Sequence, residues 1–340
     1  MSSPTAPAMS VVMVSRDGIA GVRPILSCLS EQTIADQLQI CLVTPQRYAP
    51  VELPAALHDT FLAFSVAYVD VVGNRGRAAA SGVRIAEAPI IAFTEHHCFP
   101  DPNWAEVLVA AFDRVDDGVV GVGPAIANAN PETLLSWTIY GAGYAAYTPE
   151  RPARMLAELP IHNASYRRSA LLPLDNELED LMADERLMQR RLVSQGGQLA
   201  FQPETTSRHI NEATWHLVLG MNWVNGRRYG GERSENWPWL RRLAYAALFP
   251  LLSLSIMRTC MERLRHVPAT PANYKMFGPV FLQSLAHAAG EAAGYLFGPK
   301  RDFQFIDDEE FMLRERLAGV TPRNPRIAGF VALAAAYQPR

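Results

Sequence analysis

Along the first half of the chain, short apolar runs alternate with segments whose apolar positions recur at helical spacing. Val11 to Val14, Ile40 to Val43, Val66 to Val72, Pro89 to Phe93 and Val119 to Val122 read as strands. Between the first two, Pro24 is placed to open a helix, and Ile25, Cys28, Leu29 and Gln32 follow at i, i+3, i+4 and i+7 as one inward stripe. After Phe93 comes TEHHCFPDPNW, whose two prolines force a turn before Trp104, Val107, Leu108, Ala111, Phe112 and Val115 resume helical spacing. This alternation predicts an α/β fold with a doubly wound, mainly parallel sheet. The polar cluster then falls at the C-terminal end of a strand, the edge where such sheets bind ligands.

Near residue 236 the pattern changes. WPWLRRLAYAALFPLLSLSIMR and MFGPVFLQSLAHAAGEAAGYLFG are long, apolar and flanked by arginines. The first apolar core, Leu243 to Met257, is shorter than the roughly 20 residues of a spanning helix, and the second contains Gln283, His287 and Glu291. The expectation is a C-terminal apolar helical region associated with the membrane, either crossing it or lying in its interface. Arg241, Arg242, Arg258, Arg263 and Arg265 suit anionic lipid at the cytoplasmic face of the cell membrane. A buried helical subdomain is the alternative. The expected organisation is a flexible leader 1–9, an α/β domain 10–235, a membrane-associated helical region 236–300 and a tail 301–340.

Composition narrows the function. The 340 residues, 49% hydrophobic, are enough for one large domain plus an appendage. With 31 basic against 34 acidic residues and a formal net charge of -3, nucleic acid is not an expected partner. Cys28, Cys41, Cys98 and Cys260 lie far apart with no C-x-x-C pair, which argues against a structural zinc site or a disulfide framework and fits a reducing compartment. The first residues carry no basic region ahead of an apolar run, so no cleaved signal peptide is expected.

Three groups of residues can carry chemistry. Glu95 and His97, two apart at a strand end, point to the same side if the strand persists, and a carboxylate with an imidazole suits manganese, zinc or a similar ion, whereas magnesium prefers oxygen ligands. The bland reading is a polar loop with a capping histidine. His209, just after an expected strand at Leu199 to Gln202, can complete the set or simply pack. In LEDLMADERLMQRRL, Leu181, Met188 and Leu192 define an apolar line on which Glu185 falls, while Asp184 points sideways. A carboxylate buried there rises in pKa and can take a proton from a hydroxyl; alternatively it pairs with Arg168 or Arg191. Finally, Asn163, Ser165, Tyr166, Arg167 and Arg168 set donors beside cations, a composition able to hold a diphosphate or sugar hydroxyls, and Asn74, Gly76 and Arg77 form a small-residue turn with a cation. Trp137, Tyr140 and Tyr144, at i, i+3 and i+7, suit sugar stacking or the membrane interface but read first as core packing. There is neither a P-loop nor a G-x-G-x-x-G, which disfavours a Rossmann oxidoreductase.

Taken in order, VVMVSRDG, NRGRAAASGVRIAEAPIIAF, TEHHCFPDPNW, HNASYRR and DERLMQRRL resemble the family 2 glycosyltransferases of the GT-A fold, over about residues 10 to 215. GEAAGYLFG looks like the tail of their membrane-bound bacterial members. The resemblance implies a nucleotide-sugar donor, a glycan or lipid-linked acceptor and a divalent metal, Mn2+ or Mg2+. It places Ser15, Asp17, Asn74, Arg77 and Glu95 at the donor, Asn163, Tyr166, Arg167 and Arg168 at the acceptor, and Glu95, His97 and His209 at the metal. Asp184 and Glu185 match the family's paired acids, with Glu185 the implied base of an inverting transfer. The chain departs from the family in two places: Glu95-His96-His97 stands for Asp-x-Asp, and the acid that usually ends the second strand is replaced around Thr44. The altered motif also admits a catalytically inactive membrane-bound carbohydrate-binding or assembly subunit with the same fold.

Overall fold

A computed structural model of the chain describes residues 6–211, 214–271, 273–299, 311 and 322–335. The residues of β1 (Met9–Val14), β2 (Leu38–Pro45), β3 (Ala63–Val69) and β4 (Ile90–Phe93) pair in parallel in the order β3-β2-β1-β4. β1, β2 and β4 are buried at every position because both faces are covered. On one face Val12, Val14, Cys41, Val43, Ile91 and Phe93 share a core with apolar residues between Ala78 and Val83; on the other, Val11, Met13, Ile40 and Leu42 are buried as completely. The first crossover carries α1 (Arg23–Leu29), with Pro24 in its first turn as expected, and the third carries α2 (Arg75–Ile85). The stripe is shorter than its spacing predicted. α1 ends at Leu29, and Gln32 lies beyond it, its side chain donating to the Asp101 carbonyl and accepting from the Ala105 N–H, both at 3.0 Å.

The second half of the sheet is mixed. It comprises β5 (Cys98–Pro100), β6 (Val119–Asn128), β7 (Arg154–Leu156), β8 (Ser165–Arg167) and β9 (Gln198–His209). β8 runs antiparallel between β4 and β6, β6 pairs in parallel with β9, and β5 and β7 flank β9 antiparallel. The helices between them are α3 (Trp104–Arg114), α4 (Leu134–Gly143), α5 (Arg168–Leu171), α6 (Asp175–Met182) and α7 (Glu185–Ser194). The line drawn through Leu181, Met188 and Leu192 is therefore not one helix. The chain breaks between α6 and α7, and Asp184 caps the second helix, its carboxylate accepting from the Arg186 N–H at 3.1 Å.

The chain then continues through α8 (Trp215–Arg233), α9 (Trp239–Ala247), α10 (Phe249–Leu264), α11 (Asn273–Phe297) and α12 (Pro325–Ala335). Two compact units result: residues 1–129, 149–209 and 311–340 form the unit that holds the sheet, and residues 130–148 and 210–310 form a helical unit. The boundary drawn at residue 236 falls inside the helical unit, and most of the tail 301–340 lies outside the described residues. In the sheet unit α12 packs on α1, with Phe330 stacked on Phe99 and Arg326 bonded to Glu31.

Within the helical unit α8 and α11 touch backbone to backbone. A Cβ on Gly226 would lie 2.0 Å from the His287 carbonyl oxygen, and one on Gly290 2.2 Å from that of Trp223, so the approach requires glycine on both helices. No single described helix is long and apolar enough to cross a membrane. By length and composition α9 and α10 would do so only together, and they are bent by 59° at their junction.

Candidate active site

Thr94 and Glu95 continue from the C-terminal end of β4, and the chain turns at once, the Cys98 N–H bonding the Glu95 carbonyl at 3.1 Å. Glu95 and His97 therefore converge through a turn and not, as their spacing suggested, along one face of an extended strand. The same turn sends His96 elsewhere. Because β5 pairs Cys98 with His209, the last residue of β9, the His209 ring arrives beside His97.

Glu95 Oε2 lies 3.9 Å from His97 Nε2 and 3.4 Å from His209 Nε2, and the two ring nitrogens are 3.0 Å apart, close enough to share a proton. All three side chains are buried. Burial alone would raise the Glu95 pKa, but His97 and then His209 outweigh it and hold the carboxyl well below its ordinary range. The three candidate ligand atoms fall within 4.8 Å of one another, and one carboxylate with two imidazoles is a donor set suited to a divalent transition ion. The residues fit the implied metal.

A second centre lies on β8 and α7. Glu185, the first residue of α7, is buried, and the strand alternation of β8 turns Tyr166 toward it. The Tyr166 hydroxyl donates to Oε1 at 2.6 Å and accepts from Gln189 Nε2 at 2.8 Å, while Oε2 accepts the His162 N–H at 2.5 Å. Burial raises the Glu185 pKa, with His162 and then the Tyr166 hydroxyl opposing it less strongly. Neither arginine offered as its partner is there: Arg168 donates to the Ala86 carbonyl and Arg191 to Glu177. Asn163 links the two centres, donating to Glu95 Oε2 at 2.8 Å.

Other expected site residues are placed differently. Arg167 donates to the Val119 and Phe112 carbonyls and Arg168 to that of Ala86, so both tie β8 to its neighbours. Asn74 caps α2, its side chain accepting from the Arg77 N–H at 2.9 Å, and the Arg77 guanidinium pairs with Asp180 at 2.7 Å. Gly76 is required for a different closeness than phosphate contact, since a Cβ there would lie 1.8 Å from the Met182 carbonyl oxygen. Ser15 is buried at the end of β1 and accepts from the Asp17 N–H at 3.1 Å.

The sequence reading passed over Arg16 and Arg75. Arg16 donates to the Val72 and Gly73 carbonyls at 2.8 Å, and buried Arg75 donates to His96 Nδ1 at 3.0 Å. Their guanidinium carbons lie 4.4 and 4.6 Å from the centre of the Phe311 ring, which stacks parallel to His96. His162 and Gln189 were also missed; the one available signal was the position of His162 directly before Asn163. Burial pushes the thiols of Cys28, Cys41 and Cys260 up to about 12, which disfavours their thiolate forms.

No family model matches the chain, and no curated protein matches it by sequence. Among solved structures it is similar to the mannosyltransferase PcManGT from Pyrobaculum calidifontis in complex with GDP-Man and Mn2+, at 13% identity and a TM-score of 0.47, over 98% of this chain and 87% of that one. It is also similar to S. aureus TarS 1-349 in complex with UDP, at 11% identity and a TM-score of 0.43, over 80% of this chain and 89% of that one. A third similarity is to GalNAc-T7 with UDP, GalNAc and Mn2+, at 15% identity and a TM-score of 0.43, over 60% of this chain and 44% of that one.

Proposed function

We propose that the chain is a metal-dependent glycosyltransferase that moves a sugar from a nucleotide-sugar donor to a hydroxyl of a glycan or lipid-linked acceptor, with inversion. The observation that carries the reading is the joining of two centres by one asparagine beyond the end of β4. Glu95, His97 and His209 form a buried ligand set, and Asn163 connects it to the segment that holds Glu185.

A divalent ion in that set, Mn2+ in preference to Mg2+ given two imidazoles, would neutralise charge on the leaving diphosphate. The chain's own residues do the rest. Asn163 fixes the Glu95 carboxylate, and Tyr166, itself bonded by Gln189, holds the Glu185 carboxyl, which anchors the centre that takes the proton of the attacking hydroxyl. The loops after β1 and before α2, which contain Ser15, Asp17 and Asn74, lie at the C-terminal edge of the parallel strands and suit the nucleotide. Arg16, on the first of these loops, and Arg75, the first residue of α2, are the cations this reading assigns to the diphosphate in place of Arg77.

The helical unit suggests where the enzyme works. Trp239, Leu240, Leu243, Leu251 and Leu254 of α9 and α10 are exposed, with Arg241 and Arg258 on the same helices, a pairing of apolar and basic groups that suits the cytoplasmic face of a membrane.

Calorimetric titration with UDP and GDP, with and without Mn2+, tests the site. Manganese-dependent nucleotide binding that Glu95→Ala abolishes is the expected result; binding to neither nucleotide by folded protein would sink it. The replacement of an acidic pair by Glu95-His96-His97 motivates the second reading, an inactive binding or assembly subunit, and turnover of any nucleotide sugar by the wild type eliminates that.

A further inference from the structure

Glu185 is badly placed to meet an acceptor. Its side chain is 2% exposed, and each carboxylate oxygen already accepts a short hydrogen bond, one from Tyr166 and one from the His162 backbone. The His162 side chain is 18% exposed, and its Nδ1 lies 3.5 Å from Glu185 Oε2, so Nε2 is the ring nitrogen directed away from the carboxylate. The backbone holds the ring there at a cost. His162 has φ of 60°, the left-handed region that residues with a side chain adopt uncommonly, histidine less rarely than most, and such conformations concentrate where function requires a fixed geometry. The next residue, Asn163, bonds Glu95. Two consecutive side chains therefore address the two centres, one toward the metal ligands and one from the carboxylate outward.

Resting on the transferase reading, we propose that His162 is the catalytic base and that Glu185 is the positioning residue behind it, an imidazole oriented by a buried carboxylate. The O–H bond of the acceptor breaks and its proton goes to His162 Nε2. The oxygen's electron pair forms the bond to the anomeric carbon, and the bond from that carbon to the diphosphate breaks, its pair leaving on the diphosphate oxygen. The imidazolium charge is balanced by Glu185 facing Nδ1. In this arrangement the tautomer before reaction carries its proton on Nδ1.

Two measurements test it. The first reads the His162 ring by nitrogen NMR of 15N-histidine-labelled full-length protein, assigned by loss of the signal in His162→Gln. A proton on Nδ1 is expected; a neutral ring protonated on Nε2 overturns the proposal.

The second follows nucleotide release from UDP-glucose, UDP-N-acetylglucosamine and GDP-mannose with Mn2+ and water as acceptor. His162→Gly should keep its fold, because glycine adopts φ of 60° freely, and should lower kcat by about a hundredfold or more with donor KM and Mn2+ affinity unchanged. Added imidazole should restore part of that loss. His162→Gly at the wild-type kcat, with Glu185→Gln inactive, would make Glu185 the direct base and overturn His162 alone. A wild type that releases no nucleotide from any of the three overturns the transferase reading, and with it the base role, whichever tautomer is found.

Discussion

Tyr166→Phe removes one oxygen from a space the ring already fills, so it separates hydrogen bonding from packing. The lost hydroxyl donates to Glu185 Oε1 and accepts from Gln189, with all three side chains buried. A bond of this kind contributes about 1 kcal/mol when both partners are neutral and about 1.5–3 kcal/mol when one is ionised. Burial raises the Glu185 pKa above 4.5, and the Tyr166 hydroxyl is among the groups that pull it back. A carboxyl whose folded pKa exceeds its unfolded value binds its proton more tightly in the native state. Its contribution to stability is full below the unfolded value and is lost as pH rises through the folded one. Without the hydroxyl the folded pKa climbs further and the loss deepens. The variant should therefore lie about 1 kcal/mol below wild type near pH 5 and further below it, by about 1.5–3 kcal/mol, near pH 8. Urea unfolding of both proteins at both pH values, followed by tryptophan fluorescence, gives the difference free of groups that titrate alike in the two. Equal destabilisation at the two pH values, or a variant as stable as wild type near pH 8, would refute the reasoning.

Glu95→Gln keeps the shape of the ligand set and removes its anion, so Mn2+ binding followed by calorimetry should disappear while the far-ultraviolet dichroism stays that of the wild type. Gly226→Ala drives a methyl group into the His287 carbonyl and should cost about 1–3 kcal/mol in thermal unfolding, a loss that a surface substitution such as Arg258→Ala would not reproduce. Leu240 and Leu251 are 79% and 65% exposed. If they meet lipid, changing either to glutamate should weaken sedimentation with anionic vesicles by about tenfold or more, as expected for about 1.5–3 kcal/mol of apolar burial per leucine; unchanged sedimentation would remove the membrane reading.

The parallel half of the sheet was legible because β1, β2 and β4 each carry an uninterrupted run of four apolar residues, a pattern that burial on both faces imposes. Three-residue strands such as β5, β7 and β8 have no periodicity to read, and their pairing comes from partners distant in the chain. The break before Glu185 escaped notice because MADE contains no glycine or proline, only an aspartate suited to a cap. The α8–α11 contact was equally hidden: its glycines read as helix weakeners until the facing backbone is seen. At the site, Glu95, His97, His209 and Glu185 were singled out by type and position, whereas Arg75 and His162 matter through contacts that only the fold creates. Arg77 and Arg168 show the converse, since a cation near a turn meets carboxylates and carbonyls as readily as phosphate.

Arg326 of α12 bonds Glu31 and the Pro100 carbonyl, across 295 and 226 positions of sequence. On the ribosome, every strand of the sheet has emerged before that arginine is made. The layer around α1 and β5 therefore stays open at this edge while the whole helical unit is being synthesised, and it closes only once α12 has emerged. Nascent chains arrested before residue 326 should expose Phe99 and the neighbourhood of Cys28 to a protease or thiol reagent that the finished protein resists.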